Sequence, residues 1–412
     1  MPSILFNFSL YGFLKNQLYF DPFLIIYLKT QSLSWFSIGL LLGIRDLTVN
    51  IFEIPSGFIS DRLGRRRTLI FGWLCYISSF IFFIFASNFL LFLPAFLLFG
   101  IGESFRSGTH KAIIFSWLKS RSMEDQRTKV YGYTRSWSQI GSAVSVIIAG
   151  TVVIIWGNIR LLFIITLIPY IFGLVNFMFY PRDESVSVLS RDANQNSFFS
   201  VLKGLFTRPH LLKAMFESLS FEGIYQVFKP WFQVFLFTGG ILLASRSDLA
   251  SSNTAAGLTI MAGYAFLHII GAVGSRHSHR LREKLGSEVA AMNFLWLIFT
   301  ATFTSMAITA FFGFYLIAGF HFIILSLAYN LWRPVFLSYF DSFTPDNLQA
   351  TVLSMESQAK SLSKALLAPC IGFIVDFTGL RFVPTFFLIL IVISLLIISR
   401  FRNLKPSPDF KV

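Results

Sequence analysis

Twelve apolar stretches of about 18–25 residues follow one another along this chain, each the length of a helix that crosses a hydrocarbon layer of about 30 Å. They fall at about 5–28, 35–58, 68–86, 89–113, 131–155, 161–180, 211–236, 254–275, 289–308, 311–336, 349–373 and 382–399. Lipid offers a backbone no hydrogen-bond partner, so a lone segment crosses it only as a helix. The expected fold is therefore an all-α integral membrane protein with twelve transmembrane helices. Charge excludes a large soluble core: 13% of the 412 residues are charged, about half the share of a soluble domain, while 51 are Phe. The first stretch has no basic start and no small-residue cleavage site, and it reads as a retained helix, not a secretory signal.

Basic residues set the orientation. Lys and Arg concentrate in the connections after the second, fourth, sixth and eighth stretches and in the C-terminal tail, where Arg400, Arg402, Lys405 and Lys411 lie. The opposite side holds Lys29, Arg160, Arg246 and Arg381. The chain is expected to cross the cytoplasmic membrane many times with both termini in the cytoplasm. Its formal net charge of +14 then faces anionic inner-leaflet lipid, and no nucleic-acid partner is needed to explain it. Cys75 and Cys370 fall inside apolar stretches, so neither a disulfide framework nor a zinc site is expected. His277 and His279 are too few for a metal and read as part of a solvated loop. No cofactor is expected.

The longest polar connection, about 181–208, divides the chain into a first six-helix bundle at 1–180 and a second at 209–412. Weak repetition supports the division. Gly57-Phe-Ile-Ser-Asp61-Arg62-Leu63-Gly64-Arg65-Arg66-Arg67 follows the second stretch, and a degenerate copy, Gly274 through Lys284, follows the eighth. The first copy resembles the conserved loop motif of the major facilitator superfamily and stands in the loop where that family carries it. With the twelve stretches, the resemblance covers essentially the whole chain. It implies two pseudo-symmetric six-helix halves. It also implies that Gly57, Asp61, Arg62, Gly64 and Arg65 form a gating motif whose acid and bases bridge the halves on the cytoplasmic side and steady an outward-facing state. Independently of the resemblance, an acid at a helix terminus can cap backbone N–H groups, and glycine permits close approach of a loop. The plainer reading is that Arg65, Arg66 and Arg67 only set topology. Two further family patterns are broken. Gly132, Gly141 and Gly150 keep the spacing of a glycine-rich stretch in drug–proton antiporters, but Ser145, Val146 and Ala149 replace the Gly, Pro and Gly of that pattern. Gly100-Ile-Gly102 has Phe96 where many proton-coupled members carry Arg.

Asp, Glu, Lys and Arg are absent from the third, sixth, ninth and twelfth stretches. The remaining stretches, apart from the eighth, which also has none, hold Lys15, Asp21, Arg45, Asp46, Glu53, Glu103, Arg106, Lys111, Arg135, Lys213, Glu217, Glu222, Lys229, Arg333, Glu356, Lys360 and Lys364. A charge facing lipid at mid-depth costs about 3 kcal/mol on insertion scales, so these side chains line protein or water. In the family that the motif resembles, helices 3, 6, 9 and 12 are outer supports and helices 1, 4, 7 and 10 line a central cavity; the charge map agrees with that plan at helices 3, 6, 9 and 12. Residues three, four or seven apart share a helix face. On that rule Glu103, Arg106, Ser107 and His110 form a stripe in helix 4, and Glu222, Tyr225, Gln226, Lys229 and Gln233 another in helix 7. Ser326, Tyr329, Asn330 and Arg333 mark helix 10, while Arg45 and Asp46 mark helix 2. Gln17 and Asp21 mark helix 1, where Pro22 loosens the turn. The candidate substrate and coupling cavity is thus Gln17, Asp21, Arg45, Asp46, Glu103, Arg106, His110, Glu222, Tyr225, Lys229, Asn330 and Arg333. The competing reading is internal ion pairing, as between Glu103 and Arg106. It is preferred for Glu356 and Lys360, which stand in favourable i,i+4 order. Arg135 and Gln139 read as helix-packing contacts. Glu222 is the expected proton carrier, ahead of Glu103 and Asp21, with Lys229 two turns along the same face competing with the proton.

The expected function is secondary active transport of a small-molecule substrate, driven by a gradient of protons or of another solute. It takes two forms, efflux of drugs or metabolites and uptake of an anionic or zwitterionic nutrient; a non-transporting sensor or assembly factor is the alternative. A slight excess of basic over acidic residues within the stretches leans toward an anionic or zwitterionic substrate. No nucleophile–base arrangement or phosphate loop marks an enzyme. A monomer is expected.

Overall fold

The computed structural model describes residues 3–123, 126–181, 209–245, 252–341 and 349–401. Every regular element among them is helical. Eleven of these helices are long and apolar enough to cross a membrane, and a shorter apolar helix, Ile4–Lys15, precedes them. The first half holds α1 (Ser3–Lys15), α2 (Leu24–Thr30), α3 (Trp35–Leu63), α4 (Arg65–Phe85), α5 (Phe89–Arg106), α6 (Thr109–Lys119), α7 (Arg127–Trp156) and α8 (Arg160–Phe177). The second holds α9 (Pro209–Phe228), α10 (Phe232–Ala244), α11 (Ser252–Leu285), α12 (Glu288–Phe311), α13 (Tyr315–Asp341), α14 (Gln349–Thr378) and α15 (Val383–Phe401). The connection between the halves lies, from residue 182 to 208, outside the described residues.

Short polar side chains start several helices. Ser34, Asn88 and Ser287 accept the backbone N–H groups of Ser37, Leu91 and Ala290 at 3.1, 3.0 and 3.1 Å. These are donors a helix cannot satisfy for itself. Gly313, at φ 78°, follows the end of α12, so the tenth span begins at Tyr315 and not near 311 as hydropathy alone implied.

Three spans are interrupted, and the interruptions correct the sequence reading. α1 and α2 are separated by residues 16–23, which include the 3₁₀ turn Asp21–Phe23. α9 and α10 are separated by the 3₁₀ turn Lys229–Trp231. In both turns a proline, Pro22 or Pro230, stands at an opening position, where it lacks an N–H to donate and restricts the residue before it. α5 and α6 part at Ser107 and Gly108, whose φ is 74°. The expected stripes through Ser107 to His110 and through Lys229 to Gln233 therefore do not lie on single helical faces. A fourth correction runs the other way: α11 continues unbroken to Leu285, placing His277 and His279 on a helix and not in a loop.

The described residues gather into two compact units. Unit 1 is drawn from residues 1–187, 233–268 and 368–373, and unit 2 from residues 188–232, 269–367 and 374–412. The core of unit 1 is aromatic: Trp73, Tyr11, Tyr76, Tyr170, Phe20, Phe80 and Phe83 are all fully buried. Where α1 stops, its backbone is satisfied from neighbouring helices. The Tyr170 hydroxyl donates to the Lys15 carbonyl at 3.0 Å, and the Asn16 amide donates to the Ser138 carbonyl at 2.6 Å. Segments of the second half close one edge of this unit. Gln233 accepts the N–H of Ile25 at 2.9 Å and donates to the Asp21 carbonyl at 3.3 Å, serving the open start of α2. Gly39 lies so close to Ala368, and Gly372 to Trp35, that a Cβ on either glycine would fall on the facing carbonyl oxygen.

Unit 2 is likewise packed on rings. Phe221 stacks on Trp332 at 4.0 Å and on Phe299 at 4.3 Å, while Tyr225 stacks on Tyr329 at 4.3 Å. Phe228 packs edge-on against Phe387 at 5.0 Å. On α4, α8, α12 and α15, which carry charge only at their ends, large apolar side chains including Phe85, Phe172, Leu297 and Leu396 face outward. Such a face suits lipid, which offers an apolar side chain no reason to hide.

Candidate functional site

Unit 1 holds one polar cluster around α5. Glu103 and Arg106 are three residues apart and ion-paired, and Tyr76 joins them by donating to Glu103 and accepting from Arg106 Nε at 3.1 Å. Tyr76 belongs to a charge-free stretch, so counting ionisable residues could not find it. The side chains of Glu103 and Arg106 keep 34% and 22% of their surface exposed, so the pair is accessible from one side. His110, beyond the break in this span, is stacked on Tyr11 at 3.8 Å and shares a 2.9 Å hydrogen bond with the Tyr180 hydroxyl. Beside this cluster, Arg45 pairs with its chain neighbour Asp46 at 3.1 Å. A Cβ on Gly100 would lie 2.8 Å from the Arg45 carbonyl, and this close helix contact brings α3 up to α5.

Two further residues expected in the cavity make no ion pair or hydrogen bond with this cluster among the described residues. Gln17 is buried, and its amide donates to the Gly141 carbonyl at 3.0 Å, bonding α1's extension to α7. Asp21 is exposed at the opening of its 3₁₀ turn. Arg135 and Gln139, read as packing contacts, are exposed on α7.

Unit 2 holds a closed four-charge network spread over α9, α13 and α14. Glu222 accepts from Arg333 and from Lys360, both at 2.8 Å. Glu356 accepts from Arg333 at 2.7 Å and from Lys360 at 2.8 Å, and Ser218 donates to it as well. Both carboxylates are fully buried and Lys360 nearly so, while Arg333 keeps 31% of its side chain exposed. Glu356 and Lys360 do pair along α14, as their spacing predicts, but the pair is also half of a larger assembly with Glu222 and Arg333. Lys229 is not the base that faces Glu222. The break at Pro230 places it at the start of the turn, where it is exposed. The nearby polar surface is completed by Tyr225 stacked on Tyr329 and by Asn330, which donates to the Ser326 carbonyl at 2.8 Å against Gly271 and Gly274 of α11.

The motif loop is partly described. Gly64, at φ 92°, makes the turn from α3 into α4, a conformation that favours glycine. Arg65 donates to the Ala112 carbonyl of α6 at 3.0 Å and also to Ser116. Arg62 lies over the Phe58 ring at 4.5 Å, and among the described residues nothing lies within 4 Å of where a Cβ on Gly57 would stand. The side chain of Asp61, with the capping role expected of it, lies outside the described residues.

The model of the Major Facilitator Superfamily matches residues 4–366. Among curated relatives, the chain is 20% identical to the MFS-type transporter YxaM of Bacillus subtilis (strain 168), across 100% of this chain and 98% of that one. It is 28% identical to the inner membrane transport protein YajR of Escherichia coli (strain K12), over 47% of this chain and 41% of that one. Two solved structures have the same fold at low identity. The nucleoside transporter NupG matches with a TM-score of 0.78 at 15% identity, covering 98% of this chain and 100% of its own. A D-xylose-proton symporter matches with a TM-score of 0.73 at 14% identity, covering 100% and 99%.

Proposed function

This chain belongs to the Major Facilitator Superfamily, and from that premise we propose that it is a secondary active transporter driven by protons, moving a small solute by alternating access across the cytoplasmic membrane with both termini inside. It is a multi-pass membrane protein of a transporter family and not an enzyme. The observation that carries the coupling is the network of Glu222, Glu356, Arg333 and Lys360. Three buried charges and a fourth half-buried one are expensive to place in a membrane protein, and a pure scaffold gains little from them over apolar packing. In this arrangement a proton on Glu222 neutralises one carboxylate and loosens its hold on Lys360 and Arg333. Those bases then become available to a substrate or to a new partner as the protein changes state. Loss of the proton closes the network again.

Two substrate readings follow. In proton-exchange efflux, a cationic drug or metabolite competes with the protein's own bases for the carboxylates. In uptake of an anionic or zwitterionic solute, the proton frees those bases for the solute. The second is favoured by the additional cations of unit 1, where Lys15 and Arg106 both lie beside Glu103. The test is transport by purified protein in liposomes, with a solute panel and an imposed pH gradient. Wild type should accumulate its solute only with the gradient. Glu222→Gln should still exchange solute across the membrane but lose accumulation. Uphill transport retained by Glu222→Gln would remove Glu222 from the coupling role.

A further inference from the structure

Unit 1 contains two buried or half-buried donors that the fold does not satisfy. Tyr11 is 1% exposed; its hydroxyl lies beside the Arg106 guanidinium, which can only donate to it, and its own proton has no acceptor among the described residues. Lys15 stands one helical turn further along α1, half-buried, and makes no ion pair or hydrogen bond among the described residues; its ammonium lies 5.9 Å from the centre of the Tyr11 ring. Both face the Glu103–Arg106 pair closely enough to feel its charges, and Arg135 of α7 is within electrostatic reach of Lys15. The nearby acids are already engaged. Glu103 is held by Arg106 and Tyr76, and Asp46 by Arg45, which also lies within reach of Asp21. An unmade hydrogen bond at a buried donor costs free energy, and native structures seldom leave one without reason. What these groups lack in common is an acceptor with negative charge.

We propose that the Tyr11–Lys15–Arg106 face of unit 1 binds the carboxylate group of the transported solute. This deepens the uptake reading above and rests on it for transport, but binding itself needs neither the gradient nor the unit 2 network. Lys15 supplies the charge, the Tyr11 hydroxyl donates to one carboxylate oxygen, and Arg106, held in place by Glu103 and Tyr76, donates to the other. Glu103 has a second role here. It keeps Arg106 oriented and repels an acid that arrives in the wrong position, so recognition favours a single carboxylate over a dianion.

Binding is measured on the purified full chain in detergent, without a pH gradient, by thermal shift and titration calorimetry. The probes are small monocarboxylates from acetate to benzoate, each paired with its uncharged amide. At least one carboxylate should raise the melting temperature while its amide does not. Lys15→Gln should abolish that shift, and Lys15→Arg should retain part of it. Tyr11→Phe should weaken binding about tenfold to a hundredfold, the effect of one hydrogen bond to a charged group. Because that hydroxyl donates to no group among the described residues, the melting temperature of unliganded Tyr11→Phe should be close to that of wild type. The proposal is overturned if no carboxylate binds, if amides bind equally well, or if Lys15→Gln binds carboxylates as wild type does. A fall in the unliganded melting temperature of Tyr11→Phe would also overturn it, because the hydroxyl would then be serving the fold. Failure of gradient-driven accumulation with intact carboxylate binding would count against the coupling reading alone.

Discussion

The ionic clusters of the two units are built from similar residues but differ in closure. In the unit 2 network each of the four charges is answered: two carboxylates and two bases bond one another on three helices, and of the four only Arg333 retains substantial exposure. In unit 1 the bonds are fewer, Glu103 and Arg106 remain partly open, and Lys15 and Tyr11 are left over. The openings of the two halves make the same contrast. Each half's first spanning helix breaks at a 3₁₀ turn containing proline, Asp21-Pro22-Phe23 in one and Lys229-Pro230-Trp231 in the other, with opposite charge at the same place. Similar architecture thus carries a self-neutralising store of charge on one side and an unsatisfied surface on the other. The first suits a group that exchanges protons, and the second suits a ligand.

The contrast can be broken most directly by deleting one member from each cluster. Lys360→Met leaves two buried carboxylates sharing Arg333, and removing one partner of a buried pair costs about 3–5 kcal/mol. Glu103→Gln removes a partly exposed partner that solvent already screens, and about 1 kcal/mol or less is expected. Unfolding of both variants in mixed detergent–denaturant solution should show that order. Equal losses would mean that unit 1 is as tightly coupled as unit 2.

The sequence carried much of this arrangement but missed it at particular residues. Hydropathy is enough for spanning helices because lipid forbids other unpaired backbones, and the absence of charge from helices 3, 6, 9 and 12 marked the outward faces seen on α4, α8, α12 and α15. Glu222 and Arg333 were both candidates, but their partners were not. Glu356 and Lys360 satisfy an i,i+4 rule so well that they read as a local pair, and a rule of spacing along one helix contains nothing about contacts between helices. Lys229 failed for a different reason. The face argument assumes an unbroken helix, and Pro230 next to it was the visible warning. Tyr11 and Tyr76 were illegible because a tyrosine in an apolar helix looks like core until its hydroxyl is placed beside a charge.

Glycine contacts sharpen the comparison with smaller effects. A Cβ at Gly372 would fall on the Trp35 carbonyl, whereas one at Gly223 in unit 2 meets only Ser363 Oγ at 3.7 Å, an ordinary contact. Gly372→Ala should therefore destabilise by about 1–3 kcal/mol through overpacking. Gly223→Ala should be neutral or stabilise by about 0.5–1 kcal/mol, since alanine is the better helix former. Melting temperatures in detergent decide it. A Gly372→Ala protein as stable as wild type would show that α3 and α14 separate readily at this point.

The smallest effect is expected at the two related connections. Gly64 turns the chain sharply after α3, and Arg65 is then held by α6 through Ala112 and Ser116. After the eighth span there is no such turn until Gly286, at φ 79°, because α11 continues as a helix; there Arg282 meets Glu288 at 2.6 Å with 54% of its side chain exposed. An ion pair so open to solvent gains little, since water competes for both charges and salt screens what remains. Arg282→Ala should therefore cost about 0–1 kcal/mol in low salt and nothing measurable in 1 M salt. Arg65→Ala removes hydrogen bonds to a carbonyl and a hydroxyl, so its cost, about 1 kcal/mol, should persist at both salt concentrations. Unfolding at the two ionic strengths separates the cases. A salt-independent loss at Arg282 would mean that the degenerate copy of the motif holds helices together as Arg65 does, and the difference between the two connections would then be one of shape alone.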